Sequence, residues 1–214
     1  MMEFDVWEPF YEKILEEFGY SREDDRRSAR FLDGRIGHFD SSRLDAFFRD
    51  ETVAVVGDAP SLDASCVPGD AVVVAADGAA KRLSEAGVCP DVIVTDLDGA
   101  PTHAAEASHE GTVVAVHAHG DNTDALGRYL SEFDAPNVVG TTQTDPRDFD
   151  SLYNFGGFTD GDRAVFLADA FGAARTVLVG FDFEAAEGEK REKLRWARRL
   201  LRVLSEKRDE NLLS

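Results

Sequence analysis

The chain has 214 residues, 42 acidic and 23 basic, and a formal net charge of −19. A chain this acidic is repelled by phosphate backbones, which excludes nucleic-acid binding through bulk electrostatics. The charge reads as a heavily solvated surface that keeps the protein soluble, as in proteins adapted to high salt. Apolar residues make up 43% of the chain, enough for one sizeable core.

In chain order, residues 1–50 read as a helical region and 51–214 as an α/β domain. FYEKILEEFG carries Phe10, Ile14, Leu15 and Phe18 at helical spacing and stops at Gly19. SREDDRRSARFL, with Ser21 as a cap, and SSRLDAFFRD read as two more helices. From residue 52 short apolar strands follow: TVAVVG, AVVVAA, DVIVTD, TVVAVH, NVVGTT and TVLVGF. Stretches of helical character, AAKRLSEAG, DNTDALGRYLSEF and GDRAVFLADAFG, lie between them, and EKREKLRWARRLLRVLSEK forms a long amphipathic helix at the end. Strands alternating with helices, and apolar on consecutive positions, predict a parallel, doubly wound sheet of about six strands covered on both faces. Cys66 and Cys89 have no metal-ligand spacing and are expected to be small core residues. With no signal-peptide pattern and no apolar run near ~18 residues, a reduced, cytoplasmic setting without a membrane is expected.

Open parallel sheets bind ligands beyond the carboxyl ends of their strands. All six strands run into polar segments, five of them glycine-bearing: GDAPSL, ADGAA, TDLDG, HAHGDNTDAL, TTQTDP and GFDF. Asp96 and Asp98 alternate around Leu97, so an extended backbone points both to one side. Asp121 and Asp124 flank a helix start, and Asp77 follows the second strand. Each has an ordinary reading alone: Asp121 as a helix cap, Asp77 and Asp98 as turn residues before glycine. Together at adjacent strand ends they would repel one another unless a hard cation joined them, and oxygen-only ligands suit Mg²⁺ bridged to substrate phosphates. No GxxxxGK[ST] or GxGxxG loop is present, and no lysine lies between Lys81 and Lys190. Phosphate is therefore expected to meet metal, backbone N–H groups and arginine, with Gly57, Ser61 and Arg163 as candidates. His117 and His119 share a face and are expected to line the pocket or bond carboxylates, imidazole being a poor Mg²⁺ ligand.

Taken in order, ADGAA, PDVIVTDLDG and GDNTDAL resemble the catalytic domain of thiamin pyrophosphokinases. VVGDAPSL, VTDLDG, HAHGDN, GGFTDGDRA and VGFDF resemble more closely the archaeal 6-hydroxymethyl-7,8-dihydropterin pyrophosphokinase family, which shares that fold, over roughly residues 50–200. Two departures stand out. Asp58-Ala59 replaces a glycine of the archaeal G-x-G-P-S-L loop, and Gly99 stands where the thiamin enzymes have serine. The resemblance implies transfer of the β,γ-diphosphate of ATP to the hydroxymethyl group of a dihydropterin, with release of AMP, in folate or methanopterin-type biosynthesis. It implies Asp96, Asp98, Asp121 and Asp124 as ligands of one or two Mg²⁺ ions, with Asp96, Asp98 and Asp121 catalytic. It places Gly57, Ser61, Asp77, Gly78, Asn122, Thr123 and Arg163 around ATP. His119, Thr142, Gly157, Phe158, Thr159, Asp160 and Asp182 would surround the pterin, an aspartate reading its N–H edge and Phe158 stacking on it or filling the core. The expected partners are these small molecules, with no nucleic acid or membrane and a homo-oligomer left open. Haloacid-dehalogenase-type phosphatases, suggested by DLDG and GDNTDA, need a lysine between those motifs and a longer interval. Thiamin or another acceptor, and a non-catalytic nucleotide- or metal-binding module, are the remaining readings.

Overall fold

The computed structural model describes residues 2–184 and 186–213. Three helices come first: α1 (Phe4–Phe18), α2 (Arg22–Asp33) and α3 (Ser42–Phe48). They are followed by β1 (Thr52–Val56), β2 (Val72–Ala76), α4 (Gly78–Glu85), β3 (Val92–Thr95), α5 (Pro101–His109) and β4 (Val113–Ala118). The chain continues through α6 (Thr123–Tyr129), β5 (Val138–Thr142), β6 (Leu152–Tyr153), α7 (Asp160–Ala170), β7 (Arg175–Val179) and α8 (Gly188–Arg208).

The strands form one seven-stranded sheet, ordered β6-β5-β4-β3-β2-β1-β7, with every pairing parallel. All six expected strands are present. The seventh, β6, is two residues long, too short to show a periodicity. Helix α5 was also not anticipated: Pro101 starts it at a position where no N–H is needed, and its alanine-rich face gives little apolar contrast. Helix α1 begins well before Phe10, because Phe4, Trp7 and Tyr11 extend the buried stripe N-terminally.

Alternate strand residues feed two separate cores. Val53, Val55, Val74, Val92 and Val94 face α1, α3, α7 and α8. Val56, Val73, Ala75, Ile93 and Val116 face α2, α4, α5 and α6. The first helices therefore clasp the sheet from both sides. Cys66 and Cys89 are exposed free thiols, not core residues, because both sit in connections that no layer covers. Among the described residues no helix is long and apolar enough to cross a membrane.

Candidate active site

Strand order reverses at β1: the chain steps outward from β1 to β6, then returns to place β7 on the other side of β1. Such a reversal opens a crevice at the carboxyl edge, and there lies a cavity of about 920 Å³. The ends of β1 and β7 meet closely. Gly57 N donates to Val179 O at 2.9 Å, and Ala59 N donates to Gly180 O at 3.0 Å. Gly180 has φ +66°, and a Cβ there would sit 2.5 Å from Gly57 O, so only glycine fits. Arg82 holds the next stretch of loop, donating to Asp58 Oδ1 at 2.9 Å and to Ala59 O at 2.8 Å. Asp58 stands at the variable position of the G-x-G-P-S-L pattern, and Ala59 at that of its second glycine.

Asp77, Asp96 and Asp98 line the cavity beyond β2 and β3. They do not arrive there on an extended backbone. Leu97 has φ +72° and Asp77 has φ +36°, both in the region that non-glycine residues avoid. β3 ends at Thr95 and the chain turns, burying Leu97 while both neighbouring carboxylates face the cavity. Thr95 Oγ1 secures the turn, donating to Asp77 Oδ1 at 2.6 Å and accepting from Leu97 N at 2.9 Å. A Cβ on Gly99 would fall 1.6 Å from Asp77 Oδ2, so a serine there would require the Asp77 carboxylate to move. Burial, with the Asp96 and Asp77 charges adding to it, pushes the Asp98 carboxyl up to about 6. Burial also raises Asp77, and the Asp96 charge adds to that.

His119 sits between two carboxylates, Nε2 3.0 Å from Asp96 Oδ2 and Nδ1 2.6 Å from Asp121 Oδ1. Burial opposes its charge, but the hydrogen bonds to Asp121 and Asp96 outweigh it and raise its pKa to about 9. The imidazolium donates to both partners. In spite of its burial, Asp96 is held well below the usual carboxylate range by His119 and Arg163. Because the pKa is raised on folding, the stabilisation is complete below the unfolded value of 6.5 and is lost as pH rises through about 9. Between those limits the protein is expected to lose on the order of 3 kcal/mol of stability, and His119→Gln to flatten that slope. Urea melts of both proteins near pH 6 and near pH 10 test this, and parallel slopes would refute it.

Asn122, at the head of α6, does not cap that helix with its side chain. Its Oδ1 accepts from His119 N at 3.0 Å, and its Nδ2 donates to Asp96 O at 2.9 Å and to His117 O at 2.7 Å. It thereby joins the β3 and β4 rims. Thr123 bonds Ser28 of α2. Asp124 is exposed and does not line the cavity, nor does Ser61. The expected four-carboxylate cluster thus assembles as Asp77, Asp96 and Asp98, with Asp121 engaged by His119. Among the described residues no three His, Cys, Asp or Glu side chains are arranged to hold a metal ion by themselves.

Gly57, Gly78, Phe158, Thr159, Asp160, Arg163 and Asp182 all line the cavity. Phe158 is also core, 5.4 Å from the Phe18 ring. Asp162 fixes the start of α7, accepting from Phe158 N and Thr159 N, each at 2.7 Å. Arg163 is buried and donates to Asp160 Oδ1 at 3.1 Å and to Gln143 Oε1 at 3.3 Å. Burial, together with the Asp96 charge, raises Asp160 well above the usual carboxylate range. Thr142 and Gly157 lie behind this layer, on a cavity of about 20 Å³ shared with His117 and Arg163. Among the described residues His117 Nε2 and Arg163 Nε have no hydrogen-bond partner, and the space beside them suits one water.

Three contributors were not legible beforehand. Asp25 of α2 is buried at the cavity wall, accepting from Gln143 Nε2 at 2.8 Å and Gly120 N at 2.7 Å. Lys190 and Lys193 of α8 also line the cavity. The Ser28–Thr123 and Asp25 contacts cross from the first helices to the β4 and β5 rims, which no local pattern could announce.

The fold and this rim define an α/β protein with an acidic cavity at the switch point of a parallel sheet. The sequence model of the family described as 6-hydroxymethylpterin diphosphokinase MptE-like matches residues 35–188. The chain is 44% identical over 225 residues to the 6-hydroxymethyl-7,8-dihydropterin pyrophosphokinase of Pyrococcus furiosus, covering 95% of this chain and 94% of that protein. It is 42% identical over 188 residues to the protein of that name from Methanothermobacter thermautotrophicus, covering 85% and 79% of the two chains. To that of Methanocaldococcus jannaschii it is 32% identical over 196 residues, covering 85% and 80%. The chain belongs to the 6-hydroxymethylpterin diphosphokinase MptE-like family.

Proposed function

We propose that the protein transfers diphosphate from ATP to 6-hydroxymethyl-7,8-dihydropterin, giving AMP and the pterin diphosphate. The observation that carries this reading is the meeting of Asp77, Asp96 and Asp98 at the carboxyl edge of the sheet, in a cavity large enough for two small substrates. The family membership agrees with it.

The donor set fits Mg²⁺. It is all oxygen, it carries surplus negative charge that already drives Asp98 to about 6, and it is incomplete without further ligands. Mg²⁺ characteristically takes one or two carboxylates and completes its shell with water and substrate phosphate. Asp96 and Asp98 would hold the ion, and when bound it would draw charge from the phosphoryl oxygens as the P–O bond to AMP lengthens.

The chain's own groups do the rest. The hydroxymethyl oxygen forms a bond to the β-phosphorus, the bond from that phosphorus to the α-phosphate oxygen breaks, and AMP departs with the electron pair. A carboxylate of the rim that stands outside the metal's shell accepts the hydroxyl proton. His119 holds Asp96 ionised and in place. Phe158 and Phe181 offer apolar walls for a pterin ring, and Asp160 or Asp182 lies on the same lining to meet its N–H edge.

The test is AMP release from ATP and Mg²⁺ with a panel of alcohols. AMP and pterin diphosphate are expected in equal amounts with the dihydropterin, and no AMP with thiamin. Absence of AMP with the dihydropterin, or equal turnover of thiamin, would overturn the assignment.

A further inference from the structure

This inference rests on the diphosphate-transfer reading and concerns what meets the charge of the donor nucleotide. Carboxylates dominate the cavity lining, and its cationic side chains are His119, Arg163, Lys190 and Lys193. Two of these are already committed: His119 lies between Asp96 and Asp121, and Arg163 is buried against Asp160 and Gln143. A polyphosphate entering here would find little positive charge at the sheet rim itself.

Helix α8 supplies it. Lys190, Lys193, Leu194 and Ala197 line the cavity, at the i, i+3, i+4, i+7 spacing of one helix face. Arg191, Arg195, Arg198 and Arg202, on the same helix, instead line a separate surface groove. The helix thus sets Lys190 and Lys193 inward and these arginines outward. Lys193 is paired with Glu189 at 3.1 Å, and Tyr20 donates to that same Glu189 at 2.9 Å, which anchors the first turns of α8 to the α1–α2 connection. Asp121, one of the two carboxylates around His119, lines the same cavity as both lysines. Lys190 makes no ion pair among the described residues and is exposed at the cavity mouth. A lysine ammonium is a compact cation on a flexible stem, suited to following a phosphate chain. Both lysines lie beyond residue 188, where the match to the family model ends.

We propose that Lys190 and Lys193 bind the triphosphate of the donor nucleotide, with α8 as the carrier. The test compares the parent with Lys190→Gln, Lys193→Gln and the double variant. Steady-state kinetics are read alongside calorimetric titration of inorganic tripolyphosphate with Mg²⁺. The double variant is expected to raise the KM for ATP and weaken tripolyphosphate binding by about tenfold or more, the loss of two charge-assisted contacts. The KM for the dihydropterin should stay within about twofold, and Lys→Arg replacements should restore most of the affinity. Unchanged ATP and tripolyphosphate affinities in a folded double variant would overturn the proposal, as would an effect confined to the pterin. If the parent released no AMP at all, the diphosphate-transfer reading would fall, while the tripolyphosphate titration would still decide the role of the lysines.

Discussion

Asp96→Asn is expected to lower kcat by on the order of 10³-fold with the fold retained, the scale of losing one centre of transition-state charge stabilisation. The substitution keeps the shape of the side chain, and Asn122 still holds the residue through the Asp96 carbonyl at 2.9 Å. What disappears is a charge with three connections. It binds one edge of His119, it repels the Asp98 carboxyl upward, and it raises Asp77. Removing it should therefore move the Asp98 titration below about 6 and lower the His119 pKa from about 9. AMP release at saturating substrates checks the rate, and carboxyl- and imidazole-resolved NMR titrations check the two shifts. Activity within tenfold of the parent, or an unmoved Asp98, would remove Asp96 from the centre of the site.

Asp25→Ala is expected to cost about 3 to 5 kcal/mol of stability, as for other buried charges whose partners are left without an acceptor. The carboxylate is 2% exposed and accepts from Tyr11 Oη at 2.5 Å, Gln143 Nε2 at 2.8 Å and Gly120 N at 2.7 Å. Those donors come from α1, from the segment after β5 and from the segment after β4, so one side chain joins the first helices to two strand ends. Alanine leaves the buried Tyr11 and Gln143 donors unpaired and frees Gly120 N at the cavity wall. Gln143 also accepts from Arg163, so its loosening should carry through to Asp160 and lower activity as well. The denaturant midpoint measures the first effect, and kcat of the folded fraction measures the second. A midpoint equal to the parent's would show that the three donors find other acceptors.

Much of the site was legible because its signals are local. The aspartates of ADG and DLDG follow apolar runs directly, so their position at a strand end can be read without knowing which strands are neighbours. Asp124 shows the limit of that reading. It lies in the first turn of α6 and shares a motif with Asp121, but helical phase turns it to solvent. The alternation of Asp96 and Asp98 also succeeded for a reason other than the one expected. A left-handed Leu97, not an extended strand, brings both carboxylates to the cavity. Residue type alone favours the core for Cys66 and Cys89, yet only the layering of helices decides whether a connection is covered.

By itself the sequence determined the periodicities that make the six longer strands, the polar ends that stop them, and the carboxylates placed there. These depend on neighbours within a few residues and on the covering of both sheet faces. Tertiary structure alone decided that His119 would sit between Asp96 and Asp121, that Asp25 would reach Gln143, 118 positions away, and that α8 would turn lysines rather than arginines to the cavity. The reason is that strand order and helix docking bring together groups whose separation along the chain carries no periodic signal. Once they are brought together and partly buried, their charges interact strongly enough to set each other's protonation.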